Sequence, residues 1–169
     1  MQRHELVHVI NCPAARMWEL FFDDAFNVQM YCEGLGFPKC DVAEKVEREG
    51  VLHRRMVMVP KVEVPKPLVK IFGGRVGFEE IGDWDKAAGV FRWQIILAAL
   101  GDKVKIEGTM RITDKIEGQC QRVTAFSVES KMFGIGGMIE KTSAENVCGG
   151  WNNSAKWINK WLAEQTTAG

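Results

Sequence analysis

The sequence predicts an α+β fold in which a curved antiparallel sheet of about seven strands wraps around a long C-terminal helix. Three observations lead there. Six strand-like stretches follow one another between Cys40 and Lys131, joined by turns, which favours an antiparallel meander. One strand and two short helices precede them, giving the order β-α-α-β6-α. A proline-free run with helical spacing, Phe133–Gln165, follows them. A meander of this length curls, and the terminal helix closes its open side.

Glu5–Ile10 is the first strand. Leu6, Val7, Val9 and Ile10 make it apolar on both faces, the pattern of a strand inside a closed sheet. Asn11-Cys12-Pro13 starts a helix, with Pro13 in its first turn and Asn11 or Cys12 at the cap. Met17, Trp18, Phe21 and Phe22 give that helix a bulky apolar face. Asp23-Asp24 ends it and can cap a second short helix, Ala25–Glu33, which Gly34 and Gly36 terminate. Strands follow at Cys40–Glu49 and Val51–Val59, with Gly50 in the turn and Pro60 as the stop. Residues 61–74 are expected to be irregular, because Pro60, Pro65 and Pro67 crowd one end and Gly73-Gly74 closes the other. Arg75–Trp84 and Val90–Ala99 are the next two strands. Val104, Ile106, Met110 and Ile112 then alternate with Lys105, Glu107, Thr109 and Arg111, the mark of a half-buried antiparallel strand. Gln121–Lys131 is the last strand.

With 169 residues the chain is read as one domain, 1–169, long enough to bury a core. The 22 Lys and Arg balance the 22 Asp and Glu, which argues against a broad basic surface, so no nucleic-acid partner is expected. No apolar run approaches the ~20 residues needed to span a bilayer. Met1-Gln2-Arg3-His4-Glu5 lacks the apolar stretch of a secretory signal. Cys12, Cys32, Cys40, Cys120 and Cys148 are odd in number and show no C-x-x-C spacing. They read as reduced and structural, and the expected compartment is the cytoplasm. The histidines His4, His8 and His53 fit no ligand spacing, so neither a metal nor a cofactor is expected.

Along the C-terminal helix, at about 100° per residue, Val147, Trp151, Ser154, Ile158 and Leu162 share one stripe. Projected backwards, the stripe meets Glu140, Ala144 and, nearby, Gly136 and Ser143. A helix that only plugs a core carries large apolar residues throughout. Small residues at one end leave room, so a cavity is expected between helix and sheet. Strand parity turns Met56, Met58, Trp93, Ile95, Ile106, Met110, Phe126 and Val128 inward as its wall, with Val147, Trp151 and Glu140 from the helix. The alternative is that these side chains simply fill the space. Glu140 is a costly inward carboxylate unless paired, with Arg54, Arg92 or Arg122 as candidate partners, or the helix dipole as support. The structural role is favoured over a ligand contact. Trp157 and Trp161 are expected to clamp the helix to the sheet, while Gly149-Gly150 marks a kink, close packing or ligand room.

Three stretches carry a family resemblance. They are Asn11-Cys12-Pro13-Ala14-Ala15-Arg16-Met17-Trp18, then Pro65–Gly74 followed by a strand and Asp83-Trp84, then Phe133-Gly134-Ile135-Gly136-Gly137-Met138-Ile139-Glu140-Lys141. In this order they resemble the START-like (SRPBCC) superfamily, whose fold is the helix-grip, and in particular an uncharacterised bacterial START-like lipid-binding family. The resemblance covers nearly the whole chain. It implies a lipid, sterol, quinone, polyketide or hormone ligand between helix and sheet, or cyclase and aromatase activity, or a co-chaperone role. The glycine-rich loop of the plant pathogenesis-related branch is replaced by Glu49-Gly50-Val51, which argues against a plant-type hormone binder.

The leading expectation is therefore a non-enzymatic binder or carrier of a small hydrophobic ligand, lipid-, sterol- or polyketide-like. The alternatives are a polyketide cyclase- or aromatase-like enzyme and a ligand-free interaction module. Residues 61–75 carry Lys61, Lys66, Lys70 and Arg75 against Glu63, interleaved with Leu68, Val69, Ile71 and Phe72. That pattern suits peripheral contact with an anionic membrane; the bland reading is a lid or short helix over the sheet's end.

Overall fold

Period-2 alternation builds seven strands: β1 (Gln2–Ile10), β2 (Lys39–Arg48), β3 (Val51–Val59), β4 (Phe78–Asp85), β5 (Val90–Leu97), β6 (Val104–Ile116) and β7 (Gln119–Ser130). The structure is a computed structural model and describes residues 1–168. The strands pair antiparallel in one sheet of order β1-β7-β6-β5-β4-β3-β2. Among the described residues four α-helices accompany it: α1 (Ala14–Phe21), α2 (Asp24–Val28), α3 (Lys66–Phe72) and α4 (Gly136–Thr167). This is the expected α+β architecture, with α4 held against the curved sheet.

Several local expectations change. β1 is an edge strand rather than part of a closed sheet, and Val7 is 54% exposed. Its free edge is covered by α4. The Asn159 side-chain amide donates to Val9 O at 2.9 Å and its Oδ1 accepts from the Asn11 N–H at 2.8 Å, so one side chain continues the ladder. The other edge, β2, carries exposed Asp41, Glu44, Lys45, Glu47 and Arg48, which discourage pairing with another chain. Pro13 itself, not Asn11 or Cys12, occupies the α1 cap, and the free Ala14 N–H is satisfied by Asp114 Oδ1 from β6 at 2.8 Å. Asp23 caps α2 as expected, accepting from the Phe26 N–H at 2.6 Å.

The helix predicted over Ala25–Glu33 is α2 continued by a π-helical turn, Gln29–Gly34. Trp157 lies against that turn; a Cβ on Gly34 would sit 2.4 Å from its Nε1. The stretch expected to be irregular holds α3. Its prolines fall at the cap and in the first turn, where no N–H is needed, and Gly73 ends it with φ 54°. β4 consequently starts at Phe78, three residues later than predicted.

The interior is packed at one end and hollow at the other. Gly82 and Gly108 on the inner face let Phe91 and Trp93 lie flat against the sheet; a Cβ there would come within 2.2 Å and 2.6 Å of those rings. Trp18, Phe22 and Trp84 stack over this end, with Trp18–Trp84 at 4.7 Å and Phe22–Trp84 at 4.8 Å. Toward the other end the inner face is Met58 beside Phe78 beside Leu97, and Ile95 beside Ile106.

Candidate functional site

The hollow end encloses a cavity of about 280 Å³. Its floor is Met58, Phe78, Ile95, Leu97 and Ile106 of the sheet. Its roof is Val147, Gly149, Gly150 and Trp151 of α4. The sides are Tyr31, Leu35 and Phe37 from the π-helical turn and its exit, and Val62, Val64 and Phe72 from the segment around α3. Cβ atoms built on Gly149 and Gly150 meet nothing within 4 Å, so these glycines border open space rather than close packing.

Of the residues predicted to line a ligand site, Met58, Ile95, Ile106, Val147 and Trp151 come together at this wall. Met56, Trp93, Met110, Phe126 and Val128 point inward as parity required but lie in packed regions outside the lining. Met56 is buried with Cys40 and Met58, and Trp93 packs on Phe126 and Trp151 at 6.0 and 5.9 Å. Parity fixes the face of a strand, not the depth along it. Glu140 is also outside the lining. It receives a 2.8 Å ion pair from the Met1 ammonium and a 2.9 Å hydrogen bond from the Ser130 N–H. These two contacts, in that order, hold its carboxyl below the usual range. None of the arginines proposed as its partner is used.

Two polar groups of the site, Glu80 and Tyr31, were not anticipated, whereas Ser143 and Ser154 of the predicted stripe are in the lining. Glu80 lines the cavity and is 5% exposed. Its Oε1 accepts from Arg54 Nη2 at 2.7 Å, so the carboxylate is neutralised as a buried pair. Arg54 also donates to Phe21 O, and its guanidinium lies 4.4 Å from the Phe21 ring and 5.0 Å from the Phe22 ring. Tyr31, the sole tyrosine, sits on the wall, and burial followed by the Glu80 charge pushes its hydroxyl strongly up, so it remains a donor. Inward parity on β4, opposite Met56, was a sufficient signal for Glu80. Nothing in the sequence distinguished Tyr31.

Behind the roof lies Arg122. Its Nη2 donates to Trp151 O at 2.8 Å, to Ser154 Oγ at 3.2 Å and to His8 Nδ1 at 3.4 Å. Because His8 Nδ1 accepts, its Nε2 carries the proton and donates to Asn152 Oδ1 at 2.8 Å. Burial, outweighing the Asn152 bond, lowers the His8 pKa, and Arg122 lowers it further, which keeps the ring neutral. Trp157 and Trp161 lie away from the site. They meet Phe26 of α2 at 5.7 and 5.0 Å, so they clamp α4 to α2 rather than to the sheet. Among the described residues no three His, Cys, Asp or Glu side chains gather as metal ligands, and no helix is long and apolar enough to cross a membrane.

Residues 5–162 match a family described as "Protein of unknown function (DUF2505)". No curated protein matches the sequence. Among solved structures, the Zhui aromatase/cyclase from Streptomyces sp. R1128 is 15% identical, with TM-score 0.67 over 98% of this chain and 95% of that one. TTHA0849 from Thermus thermophilus is 17% identical, with TM-score 0.64 over 97% and 99%. Norcoclaurine synthase from Thalictrum flavum is 16% identical, with TM-score 0.59 over 96% and 87%. At these identities the likeness is one of fold: the chain has the START-like, SRPBCC helix-grip architecture.

Proposed function

The chain belongs to the DUF2505 family, a membership that assigns no activity, and we propose that it binds a small hydrophobic ligand in the cavity between sheet and α4. The observation that carries this reading is the roof. Two adjacent glycines in a helix interior are unfavourable, and here they stand beside unfilled space over an apolar floor. A volume of about 280 Å³ lies just below the range of about 300–1,000 Å³ usual for small-ligand pockets, which suits a small or slender ligand. Tyr31 and the Glu80–Arg54 pair supply a donor and an acceptor to orient a hydroxyl- or carbonyl-bearing molecule, lipid-, sterol- or polyketide-like. Native mass spectrometry, followed by organic extraction, tests it. A defined extra mass that extracts as such a compound supports the reading. A clean apo mass that stays clean after incubation with mixed lipid extracts and polyketide mimics overturns it.

The same reading includes ligand exchange at a membrane through residues 61–75. Lys61, Lys66, Lys70 and Arg75 are exposed, and none is paired with a carboxylate among the described residues. Val69 beside them is 51% exposed. At the same end of the sheet, Phe133 is 103% exposed and Met138 41% exposed. Apolar side chains amid unpaired cations suit an anionic bilayer. A cyclase- or aromatase-like activity is the second reading. It draws on Tyr31 and Glu80 both facing the cavity, and turnover of an aromatic polyketide mimic, lost in Tyr31→Phe, would favour it over simple binding.

A further inference from the structure

We propose that a polar subsite lies directly behind Trp151 and takes the carboxylate head of an amphipathic acid whose apolar part fills the cavity; this rests on the binding function proposed above.

The inference starts from charge. The buried charged side chains among the described residues are Arg54, Glu80 and Arg122. Arg54 and Glu80 neutralise each other. Arg122 is 1% exposed; its hydrogen bonds go to a backbone carbonyl, a serine hydroxyl and a neutral histidine, and its guanidinium lies against the Trp151 ring, with no carboxylate among these partners. Burial pulls its pKa down to about 10, which still leaves it charged at neutral pH. Cys120, its neighbour by one alternation on β7, does not supply the anion, because its bond with Cys12, followed by burial, raises its thiol pKa strongly. The described interior therefore holds one cation without an anion, an arrangement that is costly unless completed.

Buried donors without acceptors occur at Arg54 Nε and Trp84 Nε1, and also around Arg122. Arg122 Nε has no acceptor. Neither does the hydroxyl of Thr124, two residues along the same face of β7, nor the indole N–H of Trp93. Buried groups of this kind are rare, and each calls for a partner. The Trp151 ring lies 4.8 Å from the Arg122 guanidinium and 5.9 Å from the Trp93 ring. Phe21 stacks on the same ring at 6.4 Å, and Trp151 also lines the cavity, as does Ser154, which Arg122 already touches. One residue thus lines the cavity and lies against the cation. The proposed subsite requires that side chain to turn, which would bring the cavity to the guanidinium. The planar edge of a guanidinium matches a carboxylate in two parallel hydrogen bonds.

Decanoate and decanol, matched in chain length, test the proposal by isothermal titration against the full chain at neutral pH. Decanoate is expected to bind at least tenfold more tightly than decanol. Arg122→Met should bring the ratio of decanoate to decanol affinity to about one, whereas a merely structural role for Arg122 would weaken both alike and leave the ratio as it was. Equal affinities in the unaltered chain overturn the subsite, assign water to the orphan donors and leave the cavity reading intact. Binding of neither compound overturns both. The comparison in the unaltered chain decides the matter even if Arg122→Met fails to fold.

Discussion

Replacing Gly149 and Gly150 together by alanine should raise stability and weaken ligand binding at once. Both residues lie inside α4, where glycine costs roughly 1 kcal/mol relative to alanine. A Cβ on either meets nothing within 4 Å, so the added methyl groups clash with no protein atom. The pair should therefore gain about 2 kcal/mol, or about 4–8 °C in Tm for a chain of this size. Both glycines line the cavity of about 280 Å³, so methyl groups there are expected to narrow it. Overpacking a filled site costs about 1–3 kcal/mol, which is about 5- to 150-fold in Kd. Calorimetry of the apo protein gives the first quantity, and titration with the neutral fluorophore N-phenyl-1-naphthylamine gives the second. A higher Tm with unchanged probe affinity would show that the probe binds elsewhere and that the glycines do not border the ligand. A lower Tm would show that α4 needs glycine for its backbone, and the argument from open space would fail.

Glu80→Ala leaves Arg54 as an uncompensated buried charge and should cost about 3–5 kcal/mol. Adding Arg54→Met should recover much of that loss in a double-mutant cycle followed by urea unfolding. Glu140→Gln should lower Tm by about 2–4 °C, the worth of roughly 1 kcal/mol of hydrogen bonding, and leave probe affinity unchanged because Glu140 is outside the cavity. Its folded pKa is below its unfolded value, so the folded state resists protonation. The contribution is thus full above the ordinary value of 4.5 and fades as pH falls below it, so the stability gap between native and Glu140→Gln should close in acid. Phe133→Ser and Lys66→Glu/Lys70→Glu should each reduce co-sedimentation with anionic vesicles, the charge reversals by about fivefold or more per lost cation. Melting temperatures should stay within about 1 °C, since exposed positions contribute little to stability.

The sequence by itself determined the sheet and the long helix, because both rest on local periodicity. The alternation of Val104, Ile106, Met110 and Ile112 leaves one face for the core, and the stripe from Val147 to Leu162 leaves one side of α4 for the sheet. It also marked Gly149-Gly150 as unusual, since two helix-interior glycines are visible in any sequence. The tertiary structure alone decided where the sheet is hollow. Met110 and Ile106 share a strand and a face, yet only Ile106 lines the cavity, because Phe91 and Trp93 lie flat over Gly82 and Gly108 and fill one half of the interior. Ion pairing was equally hidden. Glu80 faces Arg54 across neighbouring strands, Glu140 turns to the chain's first residue, and Arg122 is left without an anion among the described residues. Period and propensity act over a few residues, whereas partners 26 and 139 positions apart meet only once the sheet has curled.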